Sequence, residues 1–157
     1  MRSSMLACLI ALCGVPAAKA WGQSCGVAAT GLAFGSYQPL SGLPSNSTST
    51  VTVTCNPGLI SLLVSYTIQI GTGTGGSFAA RSMGGTSTRL GYQLYRDALD
   101  TQIWGDGTAG TFTITDGYLL GLILPITHNY TAYGNIPASQ RVNTGVYTDM
   151  LSVLLSY

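Results

Sequence analysis

Hydrophobic and polar residues alternate along much of this chain, in short segments separated by glycine, proline and asparagine. The alternation is clearest in residues 47–55, where Val51, Val53 and Cys55 share one face. Because side chains in a β-strand point alternately to opposite faces, a period of two residues indicates a half-buried strand. Similar patterns predict strands in residues 26–34, 59–70, 88–95, 111–115 and 129–137. No segment shows convincing helical periodicity, so the sequence predicts an all-β fold, an antiparallel β-sandwich.

The C-terminal segment, residues 145–157, alternates in the same way. One of its faces carries Tyr147, Asp149, Leu151, Val153, Leu155 and Tyr157. Asp149 shares this face with apolar residues, which predicts either a bulge or a hydrogen-bonded carboxylate. The sequence ends on this apolar strand, and folded proteins normally cover the free edge of such a strand. We therefore expect a segment of another polypeptide to cover it.

The N-terminal residues 1–20 have the pattern of a signal peptide. A short basic start precedes an apolar stretch in residues 5–15, and Ala18-Lys-Ala20 places small residues at the two positions that a signal peptidase reads. The apolar stretch is too short to span a bilayer. The sequence predicts cleavage before Trp21 and export of a single domain, residues 21–157.

The exported part of the chain carries little charge. Without residues 1–20, four arginines remain against five aspartates, a net charge of −1, and there is no lysine or glutamate. A nucleic-acid or anionic-membrane partner needs a basic patch, which this composition does not provide. Few charges together with abundant threonine, serine, glycine and tyrosine are typical of an extracellular β-protein rather than of a disordered segment.

Two of the four cysteines, Cys8 and Cys13, lie in the predicted signal peptide, and neither has the context of a strong lipoprotein signal. Cys25 and Cys55 remain, and an even pair in an exported protein predicts a disulfide. Closing a loop of about 30 residues stabilises a fold by roughly 3–4 kcal/mol on the chain-entropy estimate. A metal site is the alternative, but it requires more ligands than two cysteines and the only histidine, His128, provide.

Few residues are suited to acid–base chemistry, because the chain has one histidine and no glutamate. No serine lies in a Gly-x-Ser-x-Gly elbow, and His128 is expected in an exposed loop. The glycine-rich residues 71–77 lack a following helix and a Gly-Lys-Ser/Thr sequence, so they predict a hairpin connection rather than a nucleotide site. Asp97 and Asp100 are expected to cap a turn rather than to bind a cation. We predict no catalytic residue, no cofactor and no metal site.

Residues 118–126 are the least regular part of the pattern. They are strongly apolar, are interrupted by Gly121 and Pro125, and follow a predicted turn at Asp116 and Gly117. One interpretation is a buried strand with a bend, and the other is an exposed hydrophobic loop used in adhesion. The adhesive run would comprise Tyr118, Leu119, Leu120, Leu122, Ile123 and Leu124.

A set of short motifs follows in order along the exported part of the chain. They are Cys25-x-Val27, Gly31-Leu-Ala-Phe-Gly-Ser-Tyr-Gln-Pro39, Val51-Thr-Val-Thr-Cys55, Tyr66-Thr-Ile68, Arg81-Ser-Met83, Leu90-x-Tyr92-x-Leu-Tyr95-x-Asp97, Trp104-Gly-Asp-Gly107, Tyr133-Gly-Asn-Ile-Pro137, Gln140 and Gly145-x-Tyr147-x-Asp149. Each motif is weak by itself. The ordered set, ending in the terminal strand, resembles the spore coat protein U family of secreted bacterial domains, whose members include subunits of archaic chaperone–usher pili.

The resemblance implies an incomplete immunoglobulin-like sandwich that lacks its final strand. In such pilins a periplasmic chaperone lends a strand to the open groove, and a neighbouring subunit's N-terminal segment replaces it during assembly at the outer-membrane usher. By analogy, the acceptor groove of this chain would be lined by Tyr147, Leu151, Val153, Leu155 and Tyr157.

The resemblance also implies a place in the assembly. Donating a strand takes on the order of ten residues ahead of the first cysteine, whereas this sequence has only residues 21–24 between the predicted cleavage site and Cys25. The expectation is a fibre-tip or surface-coat subunit that accepts a strand and does not donate one, and that passes through the periplasm to the cell surface.

Two other functional classes are alternatives to a pilus or coat subunit. A stand-alone secreted carbohydrate-binding module would use Trp104 and Tyr95 with nearby aspartates, although such aromatic residues also pack in ordinary sandwiches. A hydrolase is disfavoured by the scarcity of acid–base residues. We therefore expect a non-enzymatic structural or adhesive protein.

Overall fold

Nine β-strands account for most of the regular secondary structure in the computed structural model, which describes residues 23–56, 63–119 and 124–157. The strands are β1 (Ser24–Ala29), β2 (Ser45–Asn56), β3 (Leu63–Ile70), β4 (Ser82–Gly84), β5 (Arg89–Gly91), β6 (Gln93–Tyr95), β7 (Ile114–Leu119), β8 (Ile126–Ile136) and β9 (Val153–Ser156). In these residues the one helical element is a 3₁₀ turn, Gly73–Gly75, and no helix is long and apolar enough to cross a membrane. The predicted signal peptide, residues 1–20, lies outside the described residues.

The strands form two main antiparallel sheets. One sheet has the order β1-β2-β8-β6 and the other has the order β7-β3-β9, while β4 and β5 form a small separate pair. Every ladder is antiparallel. The predicted all-β antiparallel architecture is therefore confirmed.

One hydrophobic core lies between the two main sheets. The inner face of β2 contributes Val51, Val53 and Cys55, each at most 2% exposed, as the period of two predicted. The facing strand β3 contributes Val64, Tyr66, Ile68 and Ile70. The predicted disulfide is confirmed: Cys25 and Cys55 lie directly opposite each other in the β1–β2 ladder and are joined.

The segment predicted as one strand, residues 88–95, is divided between two sheets. Arg89–Gly91 pairs with β4, whereas Gln93–Tyr95 pairs with β8. The break falls at Tyr92, whose backbone N–H donates to the carbonyl of Arg81 at 3.0 Å. The alternate residues Leu90, Tyr92 and Leu94 are all buried on both sides of this break.

The turn predicted at Asp116 and Gly117 is wrong, since both residues lie inside β7 and pair with Tyr66 and Ser65 of β3. A side chain at position 117 would collide with the carbonyl oxygen of Val64. Glycine therefore marks a close approach of two strands here, which is the other common meaning of glycine in a β-protein.

The predicted C-terminal strand is shorter than expected. Regular pairing covers Val153–Ser156, while Thr148 forms an isolated bridge with Gly84 and the Ser152 carbonyl accepts a bond from Gly71 N–H at 2.9 Å. The segment preceding β9 is thus held by single contacts, to the end of β4 and to Gly71 after β3, rather than by a continuous ladder.

Candidate functional site

Strands β1 and β9 lie next to each other at one side of the sandwich, and each is the outer strand of its sheet. β9 pairs with β3 through the register Ile68↔Leu155 and Ile70↔Val153, and β1 pairs with β2. Within the described part of the chain, neither strand has a partner on its other edge. Two sheet edges with unpaired backbone groups therefore border the same gap in the sandwich.

The gap between these edges is an open cavity of about 390 Å³. Both main sheets, strand β4 and the segments next to β1 and β9 contribute apolar side chains to its wall, among them Leu32, Phe34, Val51, Ile70, Met83, Leu94, Ala132, Leu151 and Val153. A second hollow, of about 710 Å³, adjoins the first and shares Leu32, Phe34, Met83 and Tyr147 with it. We call this continuous depression the groove.

The residues predicted to line an acceptor groove are distributed unevenly. Tyr147, Leu151 and Val153 line the 390 Å³ cavity. Leu155 packs against the core cluster without lining that cavity, and Tyr157, the last residue, is 56% exposed. The parity predicted for the terminal segment is otherwise present, because its even-numbered residues Met150 and Leu154 point to solvent.

Asp149 lies in the wall of the groove as a hydrogen-bonded carboxylate, one of the two alternatives that the sequence left open. Its Oδ2 accepts from the Tyr92 hydroxyl at 2.6 Å, and its Oδ1 accepts from the backbone N–H and hydroxyl of Thr74 at 2.8 and 2.7 Å. Burial by itself would raise the pKa of Asp149, but these hydrogen bonds together hold it below its usual range. Burial, and after it the hydrogen bond to the Asp149 carboxylate, raises the pKa of Tyr92.

The sequence missed several groove residues. Leu32 and Phe34 follow β1 in a segment without regular pairing, and Met83 lies on the short strand β4. The alternation of apolar residues in Gly31-Leu-Ala-Phe-Gly35 was the available signal, but it was assigned to an ordinary strand. Pairing between distant segments was needed to show that these side chains face Leu151 and Val153.

A second polar cluster joins the two sheets at Tyr66 on β3, Asp116 on β7, and His128 and Tyr130 on β8. We call these four residues the inter-sheet cluster. The Tyr130 hydroxyl donates to Asp116 Oδ2 at 2.6 Å and is in contact with the Tyr66 hydroxyl. His128 Nδ1 lies 3.2 Å from Asp116 Oδ2. The hydrogen bond from Tyr130 is the main cause that lowers the pKa of Asp116, and burial raises the pKa of both tyrosines.

The expectation for His128 is therefore wrong. It does not lie in an exposed loop but on β8, which begins at Ile126, ahead of the predicted strand. Its position has the same parity as Tyr130 and the buried Ala132, so the side chain points between the sheets. A polar residue at the end of a strand carries little signal in a hydrophobicity pattern, which explains the error.

The family model for the Spore Coat Protein U domain matches residues 12–154. The chain belongs to this family. A structural comparison gives the same architecture: a chain in the crystal structure of the CsuC–CsuE chaperone–tip adhesion subunit pre-assembly complex, from archaic chaperone–usher Csu pili of Acinetobacter baumannii, superposes with a TM-score of 0.55 at 18% identity. The match covers 86% of this chain and 40% of that chain. No curated protein sequence matches significantly.

One of the two aromatic residues expected for a carbohydrate site, Trp104, is buried in this Spore Coat Protein U domain. Trp104 is 0% exposed and its indole N–H donates to the Ile68 carbonyl at 3.3 Å. It fills the core and is unable to stack on a sugar at the surface. Asp97, beside the half-buried Tyr95, caps a turn as predicted, since its carboxylate accepts from the Thr101 and Gln102 backbone N–H groups.

The predicted adhesive run is described only in part. Tyr118 and Leu119 belong to β7, the Tyr118 side chain is half-buried, and Leu124 is 67% exposed. Leu120, Leu122 and Ile123 lie outside the described residues. In the three described ranges, no group of three or more histidine, cysteine, aspartate or glutamate residues is placed to hold a metal ion.

Proposed function

We propose that this chain is an exported, non-enzymatic subunit of a surface fibre or coat, and that a β-strand from another polypeptide completes its sandwich by entering the groove. The observation that carries the proposal is the pair of neighbouring outer strands, β1 and β9, with an apolar cavity between them. The resulting domain is an incomplete immunoglobulin-like sandwich.

The groove has the chemistry that strand addition requires. An added strand gains main-chain hydrogen bonds at a sheet edge, and every second side chain enters a pocket. The free edge of β9 offers the backbone groups, while Leu151 and Val153 on one side and Val51 and Ala132 on the other offer an apolar floor. The matching donor is an extended segment with apolar residues at alternate positions.

The family and the matched crystal structure support the partners that we propose for this chain. In a chaperone–usher system, a periplasmic chaperone holds such a subunit in a complex. The matched crystal structure is a complex of a chaperone with a tip adhesion subunit. We propose that a periplasmic chaperone supplies the first donor strand, that an outer-membrane usher receives the complex, and that a neighbouring subunit supplies the final strand.

We further propose that the chain works as a tip or coat subunit, with the apolar run from Tyr118 to Leu124 as its adhesive surface. The exposure of Leu124 supports this role. Immunogold labelling of intact fibres tests it: label confined to fibre ends or to a surface layer is expected, and label along the whole shaft contradicts it.

Export is proposed to depend on residues 1–20 as a signal peptide. N-terminal sequencing of the protein recovered from the periplasm is expected to begin at Trp21. Recovery of periplasmic protein that still carries residues 1–20 would contradict this part of the proposal.

Two adjacent residues of β9 allow a matched test of the groove. Val153 lines the cavity, whereas Leu154 points outward and is 56% exposed. We expect Val153→Asp to abolish co-purification with the periplasmic chaperone, because a carboxylate in the groove is desolvated by an incoming strand. Leu154→Asp is the control and is expected to retain the complex. Equal retention by both variants would contradict strand addition at this site.

Self-complementation tests the same proposal without the chaperone. A donor peptide with alternating apolar residues, fused through a flexible linker after Tyr157, is expected to raise the melting temperature of the exported chain. The control fusion carries serine at the alternating positions and is expected to leave the melting temperature unchanged. If the two fusions melt together, the groove does not accept a strand.

A further inference from the structure

The inter-sheet cluster brings four donor atoms to one point. His128 Nδ1 lies 3.1 Å from the Tyr66 hydroxyl, 3.2 Å from Asp116 Oδ2 and 3.4 Å from the Tyr130 hydroxyl. The Tyr130 hydroxyl lies 2.6 Å from Asp116 Oδ2 and contacts the Tyr66 hydroxyl. The four atoms therefore form a closed ring, in which His128 Nδ1 and the Tyr130 hydroxyl are opposite corners.

Separate, unshared hydrogen bonds account for at most three of these five contacts. At neutral pH the four groups offer at most three protons, one from each tyrosine and one on His128 Nδ1. Those protons serve five close contacts. Nitrogen and oxygen ligands lie about 2.0–2.2 Å from a bound transition metal, which places neighbouring ligands roughly 3 Å from one another. The spacing in the cluster matches that arrangement.

We propose that the inter-sheet cluster binds one ferric ion, with the oxygens of Tyr66, Tyr130 and Asp116 and His128 Nδ1 as ligands. Two phenolates and a carboxylate are hard, anionic oxygen donors that suit a small trivalent cation, and imidazole is an accepted ligand of iron. On binding, each tyrosine hydroxyl gives its proton to solvent, the imidazole proton of His128 lies on Nε2 so that Nδ1 is free to coordinate, and the iron keeps its oxidation state.

The surroundings favour a cation. His128 Nδ1 lies 3.2 Å from Asp116 Oδ2, and among the described residues no lysine or arginine nitrogen lies within salt-bridge distance of that carboxylate. The side chains of His128 and Asp116 are 35% and 40% exposed, which leaves a path from solvent. Tyr118 packs beside His128 with a ring separation of 6.3 Å, and its buried hydroxyl has no hydrogen-bond partner in the described part of the chain.

Iron loading of the exported chain tests the proposal. The purified protein is incubated with ferric nitrilotriacetate and desalted, and bound iron is measured by mass spectrometry together with the visible absorption that a phenolate-to-iron charge transfer produces. We expect one iron per chain, the visible band, and release of one proton from each coordinating tyrosine.

Variants separate this site from adventitious iron. Tyr130→Phe and Asp116→Asn are expected to weaken iron binding at least about tenfold, since loss of even a supporting group at a metal site has an effect of that size. Both variants are expected to abolish or shift the visible absorption band. Tyr133→Phe, on the opposite face of the same strand, is the control and retains both. Circular dichroism and thermal melting verify that each variant folds. If Tyr130→Phe does not fold, Asp116→Asn, which keeps the shape of the side chain, provides the test.

Two results would overturn the proposal. The first is wild-type protein that retains no stoichiometric iron and shows no visible band, which would make the cluster a hydrogen-bonded link between the sheets only. The second is equal iron retention by wild type and folded Asp116→Asn, which would assign the iron to adventitious surface sites. Neither result depends on strand addition at the groove.

Discussion

Asp149 shows how a single charged residue is accommodated on an apolar face. Its parity was readable from the alternation of the terminal segment, and so was the need for a hydrogen-bonded carboxylate or a bulge. Its partners, Tyr92 and Thr74, are far away in the chain, so no local pattern identified them. The prediction for His128 failed for a related reason, because nothing near it in sequence indicated that Asp116 would face it.

The hydrogen bonds of Asp149 predict an acid-dependent loss of stability. The carboxylate has a lowered pKa in the folded protein, so it contributes stability above its unfolded pKa of about 3.9, and that contribution is lost as the pH falls through the lower folded value. We expect Asp149→Asn to lower the free energy of unfolding by about 1–3 kcal/mol near neutral pH, and the difference from wild type to shrink below about pH 4.

Urea unfolding of both proteins across this pH range provides the measurement. Asp100→Asn is the control, because that carboxylate accepts one long hydrogen bond, from Asn135 at 3.3 Å, and the change is expected to stay within about 0.5 kcal/mol. A gap between wild type and Asp149→Asn that does not vary with pH would contradict the assignment.

At the scale of elements, the hydrophobic pattern located β2 and the inner faces of β2 and of the C-terminal segment correctly. It failed where glycine has two meanings. Gly117 was interpreted as part of a turn, whereas it lies inside β7 because the strand passes close to the Val64 carbonyl. It also failed in residues 88–95, since a continuous alternation does not show that β5 and β6 pair in different sheets.

A pair of glycine substitutions tests this explanation. Gly117→Ala is expected to lower the free energy of unfolding by about 1–3 kcal/mol, because the added methyl group collides with backbone atoms and forces the strands apart. Gly26→Ala on β1 is the control, since no atom lies within 4 Å of its position for a Cβ. Thermal or urea unfolding measures both, and equal losses would show that the close approach at Gly117 has no special role.

At the scale of the whole molecule, the arrangement of edges defines the candidate site. β1 and β9 are distant in sequence, yet they border one cavity because each is the last strand of its sheet. The disulfide fixes β1 to β2 at one border of the groove. The site is therefore a property of the strand order and not of any one segment.

Removal of the disulfide is expected to destabilise the whole domain. Cys25→Ala/Cys55→Ala frees a loop with a sequence separation of 30 residues, and the chain-entropy estimate for such a loop is roughly 3–4 kcal/mol. Urea unfolding of the oxidised wild type and the double variant measures the difference. A difference below about 1 kcal/mol would show that the crosslink constrains the unfolded chain little.

The sequence by itself determined the β-strand content, the inward parity of Val51, Val53, Leu151 and Val153, and the pairing of Cys25 with Cys55. The strand content and the parity follow from the period of two in a strand, which is a local property of the sequence. The cysteine pairing follows from the small number of cysteines available as partners. Only the tertiary structure decided which strands are neighbours, which edges lie beside the groove, and that Tyr66, Asp116, His128 and Tyr130 meet. Such contacts join residues far apart in the chain, and they depend on the order in which strands pair, which the hydrophobic pattern of each strand does not specify.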